Sequence, residues 1–261
     1  GSEMCIRDSH GGLPHAPIRI NSNGEFTGAN GVTGGSGTQA DPYVIDGWDI
    51  NGSNAGAGLY TGNTTAYVRI QNCLFREASG NANTYYWNAG LALYNVTNVA
   101  VFNCTFTSNT NAGAYIDNSW HVKVENSTAE YNNGNGIDAN GCDDILIANS
   151  TLQHHSTTYG IQFSGTTNSF IKNNTITDNY EGIWIVGFLS GSDWSGPDTP
   201  LYVPGGSIHD NDISANTAFG LWISDIPPGS GSSSAIGGPL DASGNWWGTN
   251  TPTGVAAEVS T

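Results

Sequence analysis

Two aspartates, Asp117 and Asp138, have the residue type and the spacing that acid–base chemistry needs. Each lies in a segment that alternates apolar and polar residues, Gly113-Ala-Tyr-Ile-Asp117 and Gly136-Ile-Asp138. If these segments are neighbouring strands in register, the two Cα atoms are about 8 Å apart. Carboxyl groups separated by about 6.5–9.5 Å are typical of an inverting glycosidase. The pair is therefore the first candidate for catalysis.

Four further residues could supply an acid or a base beside this pair. They are His154, His155, Tyr159 and Glu181, which the loops place next to the same strands. Such groups can remove the proton from a carbon next to a sugar carboxylate, as polysaccharide lyases and epimerases do. The alternative for each of them is a solvated polar side chain without a catalytic role.

A column of mostly aromatic side chains is predicted on the outer surface of the same strands. The predicted substrate-binding residues are Tyr60, Tyr115, Gln162, Trp184 and Trp222, with Tyr131 in an adjoining loop. Aromatic rings stack on sugar faces while polar neighbours bond the hydroxyls, which favours a polysaccharide groove. In the alternative, the rings stack on one another along the sheet, at about 0.2–1 kcal/mol per pair.

A sequence repeat positions all of these residues. Its pattern is Gly-φ-x-φ, a polar turn, φ-x-φ-x-Asn-x-Thr-φ and a polar loop, where φ is apolar. Copies begin at Gly58, Gly90, Gly113, Gly136, Gly160, Gly182 and Gly220. The spacings between Asn103, Asn126, Asn149 and Asn173 are 23, 23 and 24 residues. A fixed period of this length indicates a solenoid, here with three short strands per coil around a narrow apolar core.

The repeated asparagines are predicted to turn inward at one corner of each coil. There they would form a ladder of amides bonded to the turn backbone, because a buried amide must be satisfied. The Asn-x-Ser/Thr sequons at these four positions would then arise from the repeat alone, because their asparagines are buried and unavailable for glycosylation. A second aligned row is predicted for Thr105, Thr128, Thr151 and Thr175.

These coils resemble the right-handed parallel β-helix repeats of the pectin-lyase-like superfamily, closest to the periplasmic copper-binding and cell-surface types. Gly37-Thr-Gln-Ala-Asp-Pro-Tyr-Val-Ile45 and Gly244-Asn-Trp-Trp-Gly-Thr-Asn250 resemble their opening and closing motifs. The resemblance implies an all-β fold, a single-stranded right-handed parallel β-helix of three sheets and about seven to eight coils. It also implies an extracellular, periplasmic or cell-surface location. The superfamily includes lyases, hydrolases, epimerases and non-catalytic adhesins, so the fold selects no activity.

No active site of these enzymes transfers residue by residue. Asn135 stands where polygalacturonases carry their first catalytic aspartate, and the Asp-Pro-His-Asp signature of mannuronan epimerases is absent. A pectate lyase needs a basic residue beside its calcium ligands. Lys123 and Lys172 belong to the second strand of their coils, away from the predicted groove.

The charge of the chain limits its partners. The net charge is −16 with only six Lys and Arg residues, so no basic stripe is available for nucleic acid or anionic membranes. No stretch approaches the roughly 20 apolar residues of a membrane-spanning helix. The predicted partner is a polysaccharide, and the chain is predicted to be a monomer that can form part of a longer surface protein. A polyanionic substrate is disfavoured unless bound Ca²⁺ supplies positive charge.

The predicted chemistry requires no cofactor, although a calcium ion is compatible with the acidic turn at Asp143 and Asp144. His121, His209 and Glu125 lie on the second strands of distant coils, so copper binding is not expected. No Cys and His spacing matches a zinc site.

Cys73 and Cys104 occupy equivalent positions in neighbouring coils, and Cys142 lies in a turn. Rungs about 4.8 Å apart permit either a disulfide or two buried thiols between the first two.

The chain divides into 1–10, a tag or non-native segment; 11–57, an irregular lead-in and N-terminal cap; 58–250, the coils, with insertions at 187–205 and 225–241; and 251–261, a tail. The functional hypothesis is a secreted or surface carbohydrate-active β-helix that binds a polysaccharide along an aromatic-lined groove and, if it is catalytic, cleaves it as a polysaccharide lyase or glycoside hydrolase. The alternative is a non-catalytic carbohydrate-binding, adhesin-like or structural surface domain.

Overall fold

The computed structural model describes residues 12–80, 87–186, 206–224 and 240–260. In these ranges the chain winds through three β-sheets that enclose one continuous apolar core, as the repeat predicts. Successive coils pair in parallel and in register, so that Ala114 pairs with Ile137 and Ile137 pairs with Ile161. The insertion predicted at 187–205 and most of that at 225–241 lie outside the described residues.

The Gly-φ-x-φ segments form the sheet that we call the front sheet. The strand β9 is long because it continues from the front sheet around a corner into the next sheet. The front strands are β2 (Ile18–Ile20), β6 (Ala57–Thr64), β9 (Ala89–Phe102), β11 (Ala114–Asp117), β14 (Ile137–Asn140), β17 (Tyr159–Ser164), β20 (Glu181–Val186), β22 (Leu221–Ser224) and β23 (Val259–Ser260).

The other two strand positions of each coil form the side sheet and the back sheet. The side sheet contains the second half of β9 together with β3 (Val32–Gly34), β4 (Tyr43–Asp46), β7 (Val68–Gln71), β12 (Trp120–Glu125), β15 (Asp143–Ala148), β18 (Phe170–Lys172) and β21 (Ser207–His209). The back sheet contains β1 (Leu13–His15), β5 (Trp48–Asn51), β8 (Leu74–Arg76), β10 (Thr105–Thr107), β13 (Thr128–Glu130), β16 (Thr151–Gln153) and β19 (Thr175–Thr177). Only the pairing of β3 with β4 is antiparallel among the described strands.

The repeated glycine is required by the close stacking of the coils. A Cβ atom on Gly136 would lie 2.5 Å from the carbonyl oxygen of Gly160, and one on Gly113 would lie 2.7 Å from that of Gly136. Any larger residue would therefore push neighbouring coils apart. These repeated glycines, which we call the glycine column, therefore set how closely neighbouring coils stack at the front sheet.

The predicted asparagine ladder is displaced by one residue. Asn103, Asn126, Asn149 and Asn173 adopt left-handed backbone angles, with φ between 50° and 56°, and their side chains are exposed. Asparagine tolerates this conformation better than most residues. The inward prediction was wrong because the left-handed residue makes the corner and the residue after it points into the core. The four sequon asparagines are consequently on the surface.

The residues that do point inward at this corner form a ladder of small polar side chains. They are Cys73, Cys104, Ser127, Ser150, Asn174, Asn211 and Asn245. The Ser127 amide donates to Ser150 Oγ at 3.1 Å, and the Ser150 amide donates to Asn174 Oδ1 at 2.9 Å. Each side chain thus satisfies the backbone of the preceding coil. The predicted threonine row is confirmed, since Thr105, Thr128, Thr151 and Thr175 pair in succession.

The predicted irregular lead-in already contributes strands to the solenoid. Strand β1 pairs with β5 and β2 pairs with β6, so stacking begins at Leu13 and not at Gly58. Two short 3₁₀ turns follow at Asn23–Glu25 and Gly28–Asn30. The structure differs from the prediction here because three-residue strands are too short to show a period in the sequence.

The other end of the coils carries a short helix. Helix α1 (Pro252–Glu258) is capped by the Thr251 hydroxyl, and β23 then pairs with β22. Trp247, in the predicted closing motif, is buried against the core. Within the described ranges, no helix has the length and apolarity that crossing a membrane requires.

Candidate functional site

The outer face of the front sheet brings the two predicted aspartates together. Tyr115 of β11 pairs with Asp138 of β14, and Asp117 pairs with Asn140. On its other side Asp138 pairs with Gln162 of β17. Alternate residues of a strand share one face, so these five side chains leave the sheet on the same side. We call them the central cluster.

Side-chain amides hold the Asp138 carboxylate from two directions. Asn140 Nδ2 donates to Asp138 Oδ1 at 2.8 Å, and Asn135 Nδ2 donates to Asp138 Oδ2 at 3.1 Å. The same Asn135 amide also donates to Gln162 Oε1 at 2.9 Å, and Gln162 Nε2 donates to Ser164 Oγ at 3.0 Å. The network fixes the orientation of the carboxylate relative to the sheet.

Burial raises the pKa of both aspartates above the usual value of an aspartate. Burial raises the pKa of Asp138 to about 6, with a smaller contribution from the Asp117 charge, although the two amide hydrogen bonds oppose the rise. Burial also raises the pKa of Asp117, against the Asn118 amide and the Tyr115 hydroxyl. An acid with a pKa near the working pH can both give and take a proton.

Asn135 and Asn140 were not among the predicted site residues. Asn140 follows Asp138 by two positions, so strand alternation could have identified it as a neighbour on the same face. Asn135 precedes the repeated Gly136 and reaches Asp138 and Gln162 across the sheet surface. Its bond to Asp138 lies within one coil, but its bond to Gln162 depends on the contact between coils, which a single copy of the repeat does not reveal.

Two of the predicted sugar-stacking residues are buried, and the prediction was wrong for them. Tyr115 is 7% exposed and packs with Ala89, Ala112 and the ring of Trp87. Tyr60 is 5% exposed. Small residues in the neighbouring coils let the rings lie against the sheet, so their faces are covered. Burial and the nearby aspartates also raise the pKa of Tyr115.

The aromatic rings at the other end of the column stack on one another. Trp184 lies between Trp222, at 5.4 Å between ring centroids, and Tyr159, at 4.7 Å. Its indole N–H donates to Ser224 Oγ at 2.7 Å. The ring planes of Trp184 and Trp222 are 16° apart and those of Trp184 and Tyr159 are 37° apart, so Trp184 contacts a stacked ring and a tilted ring, as in the stacking alternative for the aromatic column.

Glu181 is buried at the edge of the front sheet with an unsatisfied carboxylate oxygen. Its Oε2 atom has no hydrogen-bond partner among the described residues, and burial raises its pKa. It pairs with Tyr159, whose pKa burial and the Glu181 charge also raise. Strand geometry puts its Cα atom roughly 14 Å from that of Asp138. The two carboxyl groups therefore do not form one cluster.

His155 is removed from the candidate site because its side chain lies inside the solenoid. It is fully buried in a second inward ladder formed by Asn109, Asn132, His155, Asn179 and Asn216. Its Nδ1 bonds Asn179 Oδ1 at 2.8 Å, and its Nε2 lies 3.3 Å from Asn132 Nδ2. Since Asn179 Oδ1 can only accept and Asn132 Nδ2 can only donate, the ring is neutral with its proton on Nδ1. Its spacing of 23 residues from Asn132 was the signal in the sequence.

His154 lies at a corner and does not reach the central cluster. It has a left-handed backbone, φ 62°, directly after the back strand β16, and its ring stacks on Tyr131 at 4.7 Å. Tyr131 occupies the equivalent corner one coil earlier and is 59% exposed. The exposed Tyr131 ring and the partly exposed His154 ring form a pair at this corner. The predicted grouping of His154 with Asp138 and Glu181 is wrong.

The predicted metal positions have protein partners of their own. Asp143 Oδ1 accepts from Asn168 Nδ2 at 2.6 Å and from Thr167 Oγ1 at 2.5 Å, and Asp144 Oδ2 bonds His121 Nδ1 at 2.6 Å. His209 Nδ1 bonds its neighbour Asp210. The described part of the chain holds no group of three or more His, Cys, Asp or Glu side chains suited to a metal ion. Calcium binding at Asp143 and Asp144 stays a prediction.

The cysteines of the described residues are buried free thiols. Cys73 and Cys104 stack in the first corner ladder, which is the thiol alternative of the two that the sequence left open. Cys142 is also buried, and its thiol donates to the carbonyl oxygens of Ile116 and Asn140.

The chain belongs to the family described as the right handed beta helix region, whose model matches residues 89–255. The predicted fold class, an all-β right-handed parallel β-helix of the pectin-lyase-like type, is confirmed. No curated protein sequence gives a significant match.

Two solved structures with this fold are similar to the chain. The periplasmic alginate epimerase AlgG superimposes with a TM-score of 0.56 at 14% identity, over 79% of this chain and 45% of that one. The A-module of mannuronan C-5 epimerase AlgE4 from Azotobacter vinelandii gives a TM-score of 0.50 at 15% identity, over 75% of this chain and 51% of that one. The chain thus spans about half the length of each structure.

Proposed function

We propose that the protein is a carbohydrate-active β-helix that binds a polysaccharide across the central cluster. In this proposal Asp138 and Asp117 are the acid–base pair at a glycosidic bond. The observation that carries it is the Asp138 carboxyl group, which is oriented by Asn135 and Asn140, has a pKa of about 6, and lies beside a second aspartate. The similar structures are epimerases of alginate and mannuronan, which adds an analogy at the level of the fold.

The central cluster offers the groups that a sugar ring requires. Asn140 and Gln162 carry amides that can donate and accept. Hydrogen bonds of this kind recognise sugar hydroxyls, while the two carboxyl groups exchange protons with the glycosidic oxygen and with a second reactant.

Turnover assays on a panel of polysaccharides test this proposal. Release of reducing ends and of unsaturated products would be measured for the native protein, for Asp138→Asn and for the control Asp178→Asn. Asp178 is an exposed corner residue with a left-handed backbone, which asparagine also adopts. We expect Asp138→Asn to lower turnover by at least about 100-fold while the control retains it. Undiminished turnover in folded Asp138→Asn would overturn the assignment.

A non-catalytic glycan-binding surface is the second candidate function. It is favoured by Trp222, whose ring is partly exposed and stacks on Trp184 alone among the described rings. It predicts that a polysaccharide is retained without turnover and that Trp222→Ala weakens retention. A location outside the cytoplasm and a monomeric state remain predictions for either function.

A further inference from the structure

We infer that the glycan bound at the central cluster is uncharged and that the reaction there is hydrolysis, an inference that rests on the proposed function. The similar epimerases are named for alginate and mannuronan, which are polyuronates. The distribution of charge in this chain points away from such substrates.

Positive charge is scarce in the whole chain. Only six of its 261 residues are Lys or Arg, and one of these, Arg7, precedes the described residues. The internal segments outside the described ranges, 81–86, 187–205 and 225–239, contain neither residue type. These segments therefore supply no lysine or arginine to the front sheet.

The other five cations are directed away from the central cluster. Arg76 on the back sheet pairs with Asp49 at 2.9 Å, and Arg69 on the side sheet lies over the Phe102 ring. Lys123 and Lys172 also belong to side-sheet strands. Arg19 is on the front sheet, but it pairs with Tyr60, and its guanidinium donates to the carbonyl oxygens of Ala55 and Ala57.

Arg19 is also too distant to hold a substrate carboxylate at Asp138. The column runs from Arg19 through Tyr60, Ala92 and Tyr115 to Asp138, which is four rungs and roughly 19 Å. An ionic hydrogen bond needs a donor within about 3 Å of the carboxylate. A uronate in the central cluster would instead lie beside two carboxyl groups, those of Asp117 and Asp138.

The same shortage of cations bears on the type of reaction. A lyase or an epimerase removes a proton next to a carboxylate, and a positive group must stabilise the charge that develops. Hydrolysis makes no such demand. Protonated Asp138 gives its proton to the glycosidic oxygen as the bond to the anomeric carbon breaks. Water forms the new bond to that carbon, and the Asp117 carboxylate takes the proton that the water loses.

Affinity electrophoresis with defined polysaccharides separates the outcomes. The probes are neutral polymers, namely xylan, glucomannan, galactan and β-glucan, and two polyuronates, alginate and polygalacturonate, each with EDTA or with Ca²⁺. We expect retardation by at least one neutral polymer and by neither polyuronate, and turnover products without unsaturated ends. Retardation by a polyuronate alone would overturn the inference and leave the proposed function intact, as would retardation that requires Ca²⁺. No retardation by any polymer would overturn both.

A matched pair of lysine variants tests the role of charge directly. Gln162→Lys places a cation in the central cluster, and Gln153→Lys places one on the outer face of the back sheet. We expect Gln162→Lys to gain affinity for alginate by about fivefold, the effect of one exposed ion pair, and Gln153→Lys to gain none. Equal gains in the two variants would mean that net charge, and not the site, decides selectivity, and would contradict the inference.

Discussion

The side-chain amide of Asn140 donates to Oδ1 of Asp138 at 2.8 Å from two residues further along the same strand. Residues two apart in a strand share a face, so the acid and its hydrogen-bond donor are positioned by the same alternation. The bond stabilises the charged carboxylate and opposes the effect of burial on the pKa of Asp138. This hydrogen bond therefore lowers the pKa of Asp138, the proposed acid.

Substituting Asn140 should make Asp138 a weaker acid. The Asn140→Ala variant loses a donor to the carboxylate, so we expect the pKa of Asp138 to rise above about 6. A ¹³C NMR titration of the aspartate carboxyl carbons would measure the change. Asn133→Ala, at an exposed turn position, is the control and should leave the titration as it is. A pKa that falls or stays constant in Asn140→Ala would show that this hydrogen bond does not govern the charge.

His155 should make the fold sensitive to acid. Burial lowers the pKa of His155 from 6.5 to about 4, so the folded state resists a proton that the unfolded chain accepts. The stability held by neutral His155 is complete above pH 6.5 and is lost as the pH falls toward about 4. The shift corresponds to roughly 3 kcal/mol.

The His155→Asn variant isolates this effect, because asparagine occupies the same position in the neighbouring coils. Urea denaturation of both proteins between pH 7.5 and 4 would measure the free energy of unfolding. We expect the native protein to lose more stability than His155→Asn over this interval. Parallel curves for the two proteins would refute the proposed protonation of the ladder.

The glycine column should tolerate no side chain where coils approach most closely. In Gly136→Ala the added Cβ would meet the Gly160 carbonyl oxygen at 2.5 Å and the His155 ring at 2.9 Å. We expect a loss of about 1–3 kcal/mol in the free energy of unfolding. Gly34→Ala is the matched control, since no atom lies within 4 Å of its added Cβ. Equal stability of the two variants would show that the coils can move apart without cost.

Trp184 should contribute more to stability than Trp222. The Trp184 ring contacts the rings of both Tyr159 and Trp222, and an aromatic pair is worth about 0.5–1.5 kcal/mol beyond its buried area. Chemical denaturation of Trp184→Ala and Trp222→Ala would compare the two losses. We expect the larger loss for Trp184→Ala, and the reverse order would contradict a supporting role for the ring stack.

The repeat predicted most of what places the candidate site. Its period of 23 or 24 residues fixes which residues of adjacent coils pair, as Tyr115 with Asp138 and Asp138 with Gln162. Alternation within each strand then assigns these side chains to the outer face. For this reason the placement of Asp117 and Asp138 on the same face of neighbouring strands followed from the sequence alone.

The corners were predicted less well, because a period identifies equivalent residues without showing where they point. A left-handed residue such as Asn126 reverses the course of the chain, and Ser127 after it enters the core. The same limit applied to His155, whose neighbour His154 remains outside. The predicted inward residue was therefore one position too early at this corner: the residue predicted to be buried is exposed, and the residue after it is buried.

The sequence by itself determined the solenoid, its register and the aspartate pair, since all three follow from a repeat length and a two-residue alternation. Only the tertiary structure decided which polar residues fill the ladders and which rings are covered. It also showed that Asn135 joins Asp138 of its own coil to Gln162 of the next coil. These features depend on turn geometry and on side-chain contacts between coils. Such contacts form only when residues more than twenty positions apart are stacked.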